Sequence, residues 1–382
     1  MKSNYKKLGE YIREVNIRNS DLRLSTLLGV SVSKDFIPSI ANTVGTDFSK
    51  YKIVRKNQFT YIPDTSRRGD KIGIALLQDY GEALVSQAYT VFEVADKNRL
   101  NPEYLMMWFR RPEFDRYARF KSEGSVREIF SWNELCNVEL PVPDIDKQRK
   151  IVEQYNQINK AIKIKEAINN NLEQQAQALY KKSIPYTIES EIPDNWRIGT
   201  LEEIIEIHDS KRIPLSSLER AEMTNKIYPY FGAASLMDYV DDYIFDGIYL
   251  LFGEDGTVID HFGHPILQYV WGKFWVNNHA HIITGNIFST ESIYILCKQL
   301  SITTIVTGAV QAKISQANLK SLQVVIPPQD IIEELNNTIA PIFAKIRKNK
   351  DMIDLLLTLR NDLLPKLMLE NSDSSTAKLS FI

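Results

Sequence analysis

The chain has only two cysteines in 382 residues, Cys136 and Cys297, far apart and in apolar surroundings. That excludes a disulfide framework or a cysteine-built zinc site, and reads as buried thiols in a reducing compartment. There are five histidines, and none stands in a Ser-His-Asp-like setting. His279 and His281 lie two apart on a predicted strand but lack a third ligand at a suitable spacing, so no metal is expected. No stretch approaches the run of about 20 apolar residues that a membrane helix needs. The segment Met1-Lys2-Ser3-Asn4-Tyr5-Lys6-Lys7 has no apolar core for a signal peptide. A cytoplasmic protein without a membrane partner is therefore expected. A nucleotide-binding P-loop is missing, because Gly272-Lys273 lacks the upstream glycine. The Asn/Asp-Pro-Pro-aromatic signature of amino-methyltransferases is missing too. Its nearest sequence, Ile326-Pro327-Pro328-Gln329, has neither the acid or amide nor the ring. After Val142-Pro143-Asp144 the nuclease-type acid-x-lysine spacing fails. These absences argue against an enzyme with its own catalytic centre.

What is present is a repeat. Gly124-Ser125-Val126-Arg127, Phe130-Ser131, Leu135, Val138 and Val142-Pro143 recur as Gly308-Ala309-Val310-Gln311, Ile314-Ser315, Leu319, Leu322 and Ile326-Pro327. The offset is 184 without a gap, and it continues through a long polar segment after each copy. Matching apolar positions over this length imply a duplicated unit.

The segments that follow read as long helices. Ile151, Tyr155, Ile158, Ile162, Leu172 and Leu179 answer to Leu335, Ile339, Ile342, Ile346, Leu356 and Leu363, with Ile168 in the first seam and Ile353 and Leu367 in the second besides. Spacings of three and four with charged flanks describe a coiled-coil seam. Lys165 falls on or near the first seam, so that helix needs a partner. A helix of about 38 residues spans roughly 57 Å, which suits a spacer. Helix pairing is assigned to Ile151, Ile158, Ile162, Leu335, Ile342 and Ile346.

The composition is 44% hydrophobic and 25% charged with a net charge of −2, ordinary for a soluble protein of two or three domains. The balance is uneven. Residues 1–143 hold 22 Lys+Arg against 18 Asp+Glu, and residues 195–327 hold 9 against 14. There is no overall basic face, which speaks against a free-standing DNA binder.

Each half opens on an aromatic residue, a polar turn and a short amphipathic helix, from Tyr5 and from Trp196. Between this opening and the repeat lie roughly 110 differing residues. In the first half, β-type runs cover Leu24–Val32, Tyr51–Val54, Gln58–Ile62, Ile72–Leu77 and Ala88–Val94, with a helix over Pro102–Phe120. The loop Thr65-Ser66-Arg67-Arg68-Gly69-Asp70-Lys71 interrupts the strands. In the second half, runs cover Tyr228–Gly232, Tyr239–Phe245, Tyr249–Gly253, Ile266–Val270 and Phe274–Ile282, with a turn at Phe252–Gly256. The expected class is α+β: two mostly β domains with helices, joined by two long helices in an antiparallel coiled coil, related by a pseudo-twofold repeat. The boundaries are 1–143, a helix over 144–184, 185–327, a helix over 328–369, and a disordered tail over 370–382.

The order and duplication of these blocks carry a resemblance. The Tyr/Trp-led openings, Gly-Ser-Val-Arg with Phe130-Ser131-Trp132, Leu140-Pro141-Val142-Pro143 and Gln148-Arg149-Lys150-Ile151 resemble the specificity subunits of type I restriction–modification systems. Tyr239-Val240-Asp241-Asp242-Tyr243, Gly253-Glu254-Asp255-Gly256 and Trp275-Val276-Asn277-Asn278-His279-Ala280-His281 are similar to one class of target recognition domain. The second copy departs at Gln311 for Arg127 and at Ile332 for Gln148.

The resemblance implies a non-catalytic subunit of a DNA adenine methyltransferase and restriction endonuclease complex. Each target recognition domain would read one half of a bipartite, asymmetric site in double-stranded DNA. The helices would dock two methyltransferase subunits, and restriction subunits would join them. No cofactor is expected on this chain; S-adenosylmethionine, ATP and Mg belong to the partners. Arg, Lys, Asn and Gln make specific base-edge hydrogen bonds. The candidates are Arg67, Arg68, Lys71, Ser125 and Arg127 in the first domain, and Tyr230, Lys273, Asn277, Asn278, His279, Gln311 and Lys313 in the second. The competing readings are a coiled-coil scaffold that binds no DNA and an enzyme assembled from the β domains.

Overall fold

A computed structural model describes residues 5–39, 45–66, 71–123, 128–308 and 311–369, with the side chain of residue 369 excepted. The chain forms two compact units, Met1–Ile162 with Leu355–Ile382, and Lys163–Asp354.

The first unit is built on an antiparallel sheet in the order Ile12–Val15, Thr90–Val94, Gln58–Tyr61, Ile74–Leu76. Further strand pairs are Leu28–Val30 with Phe36–Pro38 and Lys52–Arg55 with Glu82–Val85. Its core is aromatic: Phe59 stacks on Phe92 with centroids 4.8 Å apart, and Phe109 meets Phe59 edge-on. The helix expected over Pro102–Phe120 is two helices, Pro102–Phe109 and Pro112–Phe120. Pro112 has no amide hydrogen and biases Arg111 to an extended conformation, so the chain breaks there and restarts with proline at the first turn.

The second unit holds a six-stranded sheet in the order Ile205–Ile207, Ala280–Gly285, Phe245–Gly253, Leu267–Val276, Tyr228–Phe231, Leu236–Val240. All neighbours are antiparallel except Tyr228–Phe231 with Leu267–Val276. The strand expected over Phe274–Ile282 is interrupted at residues 277–279, and the one expected over Tyr239–Phe245 is broken after Val240.

The domain openings are not amphipathic helices. Each is a strand, Tyr5–Lys7 or Arg197–Thr200, followed by one 3-10 turn. These strands pair with Glu139–Pro141 and Gln323–Ile326, next to the repeat in each half. The amides of Leu8 and Leu201 reach the carbonyls of Val138 and Leu322, two positions that the 184-residue offset makes equivalent.

The long helices run over Ile145–Ser183 and Gln329–Leu369. In the first unit, Ile151, Val152 and Tyr155 share a core with Leu364 and Met368. In the second, Ala176, Tyr180 and Ile184 share one with Ile332, Leu335, Ile339, Phe343 and Ile346. The start of one helix thus packs with the end of the other in each unit, which makes the pairing antiparallel. Ile151, Ile162, Leu335 and Ile346 are buried, and Ile158 and Ile342 are half-buried.

The seam differs from the hydropathy reading after Ile162. Ile168 is exposed, and the buried positions are Asn169, Ala176 and Tyr180. Asn169 lies one heptad beyond Ile162, so the seven-residue period continues through a polar residue. Its Oδ1 accepts from Asn349 Nδ2 at 2.8 Å, and its Nδ2 donates to the Ile346 carbonyl at 3.3 Å. A buried Asn pair fixes helix register at some cost in stability. Asn349→Leu alone strands the Asn169 oxygen and is expected to cost about 1–3 kcal/mol, whereas the double change Asn169→Leu/Asn349→Leu is near neutral. Calorimetric melting of the single and double variants checks this, and equal losses in both would refute it.

Gln148 departs from Ile332 for a visible reason. It is buried and bonds the Asn101 amide (2.8 Å), the Arg99 carbonyl (3.0 Å) and the Pro143 carbonyl (2.8 Å). Asn101 in turn caps the helix that begins at Pro102. Ile332 occupies the equivalent position in an apolar core.

Candidate nucleic-acid interface

The repeat places one hairpin in each unit. Glu123 bridges Ile129 in the first, and Thr307 bridges Lys313 in the second, again at an offset of 184. Each hairpin docks on a turn of its own unit. Asp64 bridges Ile129, and the Thr65 amide donates to the Glu128 carbonyl at 2.9 Å. Asp255 bridges Lys313, and the Gly256 amide donates to the Ala312 carbonyl at 3.0 Å. Gly308 has φ +91°, and a β-carbon there would sit 2.1 Å from the Gln311 carbonyl oxygen. The repeat's second glycine is therefore required by both dihedral and space.

In the first unit, Lys71 is exposed where the chain returns from the Thr65 loop. Arg67, Arg68, Ser125 and Arg127 lie outside the described residues. The described flanks Thr65 and Glu128 are hydrogen-bonded to each other.

In the second unit, three segments converge. The Glu254 amide donates to the His279 carbonyl (2.9 Å), and the Ile314 amide donates to the Glu254 carbonyl (2.8 Å). His279 Nδ1 lies 2.6 Å from Asp255 Oδ1, and Lys313 Nζ lies 3.8 Å from Glu254 Oε1. Asn278, His279, Gln311 and Lys313 are thereby brought to one place with accessible side chains. Asn277 belongs to the scaffold: it is buried, and its Oδ1 accepts from the His279 amide at 2.9 Å. Tyr230 does too. It is 1% exposed, its hydroxyl is bonded to the Leu215 backbone, and Arg220 covers its ring at 4.8 Å. Lys273 is exposed but lies over the Tyr243 ring at 4.4 Å, opposite Asp246, and among the described residues it bonds to none of the converging segments.

Beneath the convergence lies a buried charged network that the sequence reading did not single out. Asp209 accepts from His281 Nδ1 (2.6 Å), the Ile282 amide (2.8 Å) and Gln316 Nε2 (2.5 Å). Arg212 bonds Glu254 (2.6 Å) and the carbonyls of Asn278 (3.2 Å) and Ala280 (2.9 Å). His281 Nε2 meets the Ile314 carbonyl at 2.8 Å. Burial pushes the Asp209 carboxyl up, but the bonds from His281, Ile282 and Gln316 outweigh it and hold it below the usual carboxylate range. Asp209, Glu254 and His281 present donor atoms within 4.8 Å of one another. Those donors already serve Arg212, Gln316 and backbone groups, and the guanidinium supplies the local positive charge, so the set fits a structural ion-pair network rather than a metal centre. His279 and His281 were expected on one strand. The strand starts only at Ala280, so His279 sits in the turn and meets Asp255 while His281 points into the core.

This architecture, two β units each with a docked repeat hairpin and a share of a long antiparallel helix pair, agrees with what comparison with known proteins returns. The family model of the type I restriction modification DNA specificity domain matches residues 2–174 and 193–356. The chain belongs to that family and is a type I restriction–modification specificity subunit with two specificity domains. A type I restriction enzyme specificity subunit of Methanocaldococcus jannaschii is 23% identical over 307 residues, 72% of this chain and 70% of that one. A putative type I restriction enzyme specificity subunit of Haemophilus influenzae is 29% identical over 137 residues, and the match spans 35% of this chain and only 34% of that relative. The crystal structure of a type I restriction–modification S subunit from M. genitalium shares the fold, with a TM-score of 0.56, 14% identity and 96% of each chain covered. Among the described residues, no helix is long and apolar enough to cross a membrane.

Proposed function

We propose that each unit reads one half of a bipartite DNA site and that the long helices dock methyltransferase subunits, with restriction subunits completing the assembly. S-adenosylmethionine, ATP and Mg would act on those partners, and this chain would contribute no catalytic group. The observation that carries the reading is the duplicated hairpin. The backbone stem is common to both units, while its side chains and the turn it docks on differ. A common stem with differing tips suits two readers of different sequences. Exposed Ile164 and Ile168 on the first long helix, in its second-unit portion, give a partner apolar surface.

The test is co-expression with the cognate methyltransferase subunit and genome-wide mapping of methylated adenines. A bipartite motif with a fixed gap is expected. Exchanging residues 13–123 for another variable region should alter one half of that motif and leave the other. A stable complex with no methylated motif would favour a scaffold and overturn the reading.

A further inference from the structure

We infer that His279 reads a base edge in the half-site of the second unit, as a hydrogen-bond acceptor whose sense is set by Asp255. This rests on the DNA-reading role proposed above. His279 Nδ1 lies 2.6 Å from Asp255 Oδ1. A carboxylate only accepts, so Nδ1 carries the hydrogen, and in the neutral ring Nε2 is left as an acceptor. No described residue bonds Nε2, and the side chain is 46% exposed. The backbone beneath it is fixed on both sides: Asn277 Oδ1 takes its amide hydrogen, and the Glu254 amide bonds its carbonyl. Asp255 is itself bridged to Lys313 of the docked hairpin. The ring is thus oriented by its neighbours before any ligand arrives, and rigid placement is what a reading residue needs.

In the major groove an acceptor recognises an exocyclic amine, N6 of adenine or N4 of cytosine, and is blind to the acceptor pair of guanine. The chemistry required of the ligand is therefore an amine-bearing base at one position of this half-site.

The experiment uses the full chain in complex with its methyltransferase subunits. Binding is competed with duplexes changed one base pair at a time in the half-site that survives exchange of residues 13–123. The wild type should prefer an amine-bearing base at one position by about tenfold. His279→Ala should flatten that position alone, and His279→Lys, which only donates, should move its preference to guanine. His279 is partly exposed, so both variants should melt as the wild type does. Retained discrimination in His279→Ala, or a wild-type preference for guanine at the position His279→Ala flattens, overturns the inference while leaving the DNA-reading role intact. A wild-type complex indifferent to every duplex overturns both.

Discussion

Lys34→Ala is expected to destabilise the first unit by about 3–5 kcal/mol, the usual cost of removing one partner from a buried ion pair. Lys34 Nζ lies 2.9 Å from Asp115 Oδ2, with the two side chains 5% and 11% exposed. It also donates to the Phe109 carbonyl at the end of the first short helix. The other Asp115 oxygen accepts from the Ile72 amide at 3.1 Å, just past the loop that carries Arg67, Arg68 and Lys71. Truncation leaves a carboxylate without its cation in an apolar interior. Burial already lowers the Lys34 pKa, a sign of how little water reaches it. Calorimetry of the full chain should show the first unit's transition lowered by roughly 10 °C. The paired change Lys34→Met/Asp115→Leu removes both charges and should recover most of the loss. A melting curve unchanged by Lys34→Ala would sink the argument.

Asp209→Ala should cost the second unit a similar amount, about 3–5 kcal/mol, because His281, Gln316 and Arg212 lose a shared acceptor in a buried site. The pH dependence has a definite sign. Asp209 is held below its ordinary value in the folded chain, so its stabilisation is complete above the unfolded value of about 3.9 and fades as pH falls through the folded one. The stability gap between wild type and Asp209→Asn should therefore be constant at neutral pH and close on acidification below about pH 4. Denaturant titrations at pH 7 and in that acid range decide it. A gap that widens with acid would place the carboxylate outside the network. The same variant should weaken reading of the second half-site, since Asp209 and Arg212 hold the segments that carry His279 and Lys313.

Periodicity and repetition were the features most legible in the sequence. The 184-residue offset carries the bridged stem of one unit and the strand after it onto those of the other, although the reading expected amphipathic helices where the partner strands Tyr5–Lys7 and Arg197–Thr200 lie, and long helices run over Ile145–Ser183 and Gln329–Leu369. What a hydropathy pattern does not carry is polar burial. Asn169, Asn349, Gln148 and Lys34 give no sign of burial until their partners, distant in sequence, are known. Tyr230 and Asn277 were misplaced for a related reason: residue type shows what a side chain can bond, not which way the strand turns it. The signal for His281 was available in its alternation with His279. It pointed to a shared face only on the assumption of unbroken strand geometry, and the ladder ends at Val276 and resumes at Ala280.

The sharing of the long helices also orders events on the ribosome. The second unit is contiguous in sequence, Lys163–Asp354, whereas the first is completed by the chain from Leu355 onward. Leu364 and Met368, which fill the first unit's core beside Ile151 and Tyr155, are made after the whole of the second unit. At about 5–20 residues per second, the roughly 190 intervening residues take about 10–40 s to synthesise. During that interval the first-made unit waits with part of its core open, while the unit made after it has everything it needs to close. The first unit's core is thus completed only by residues made after all of the second unit.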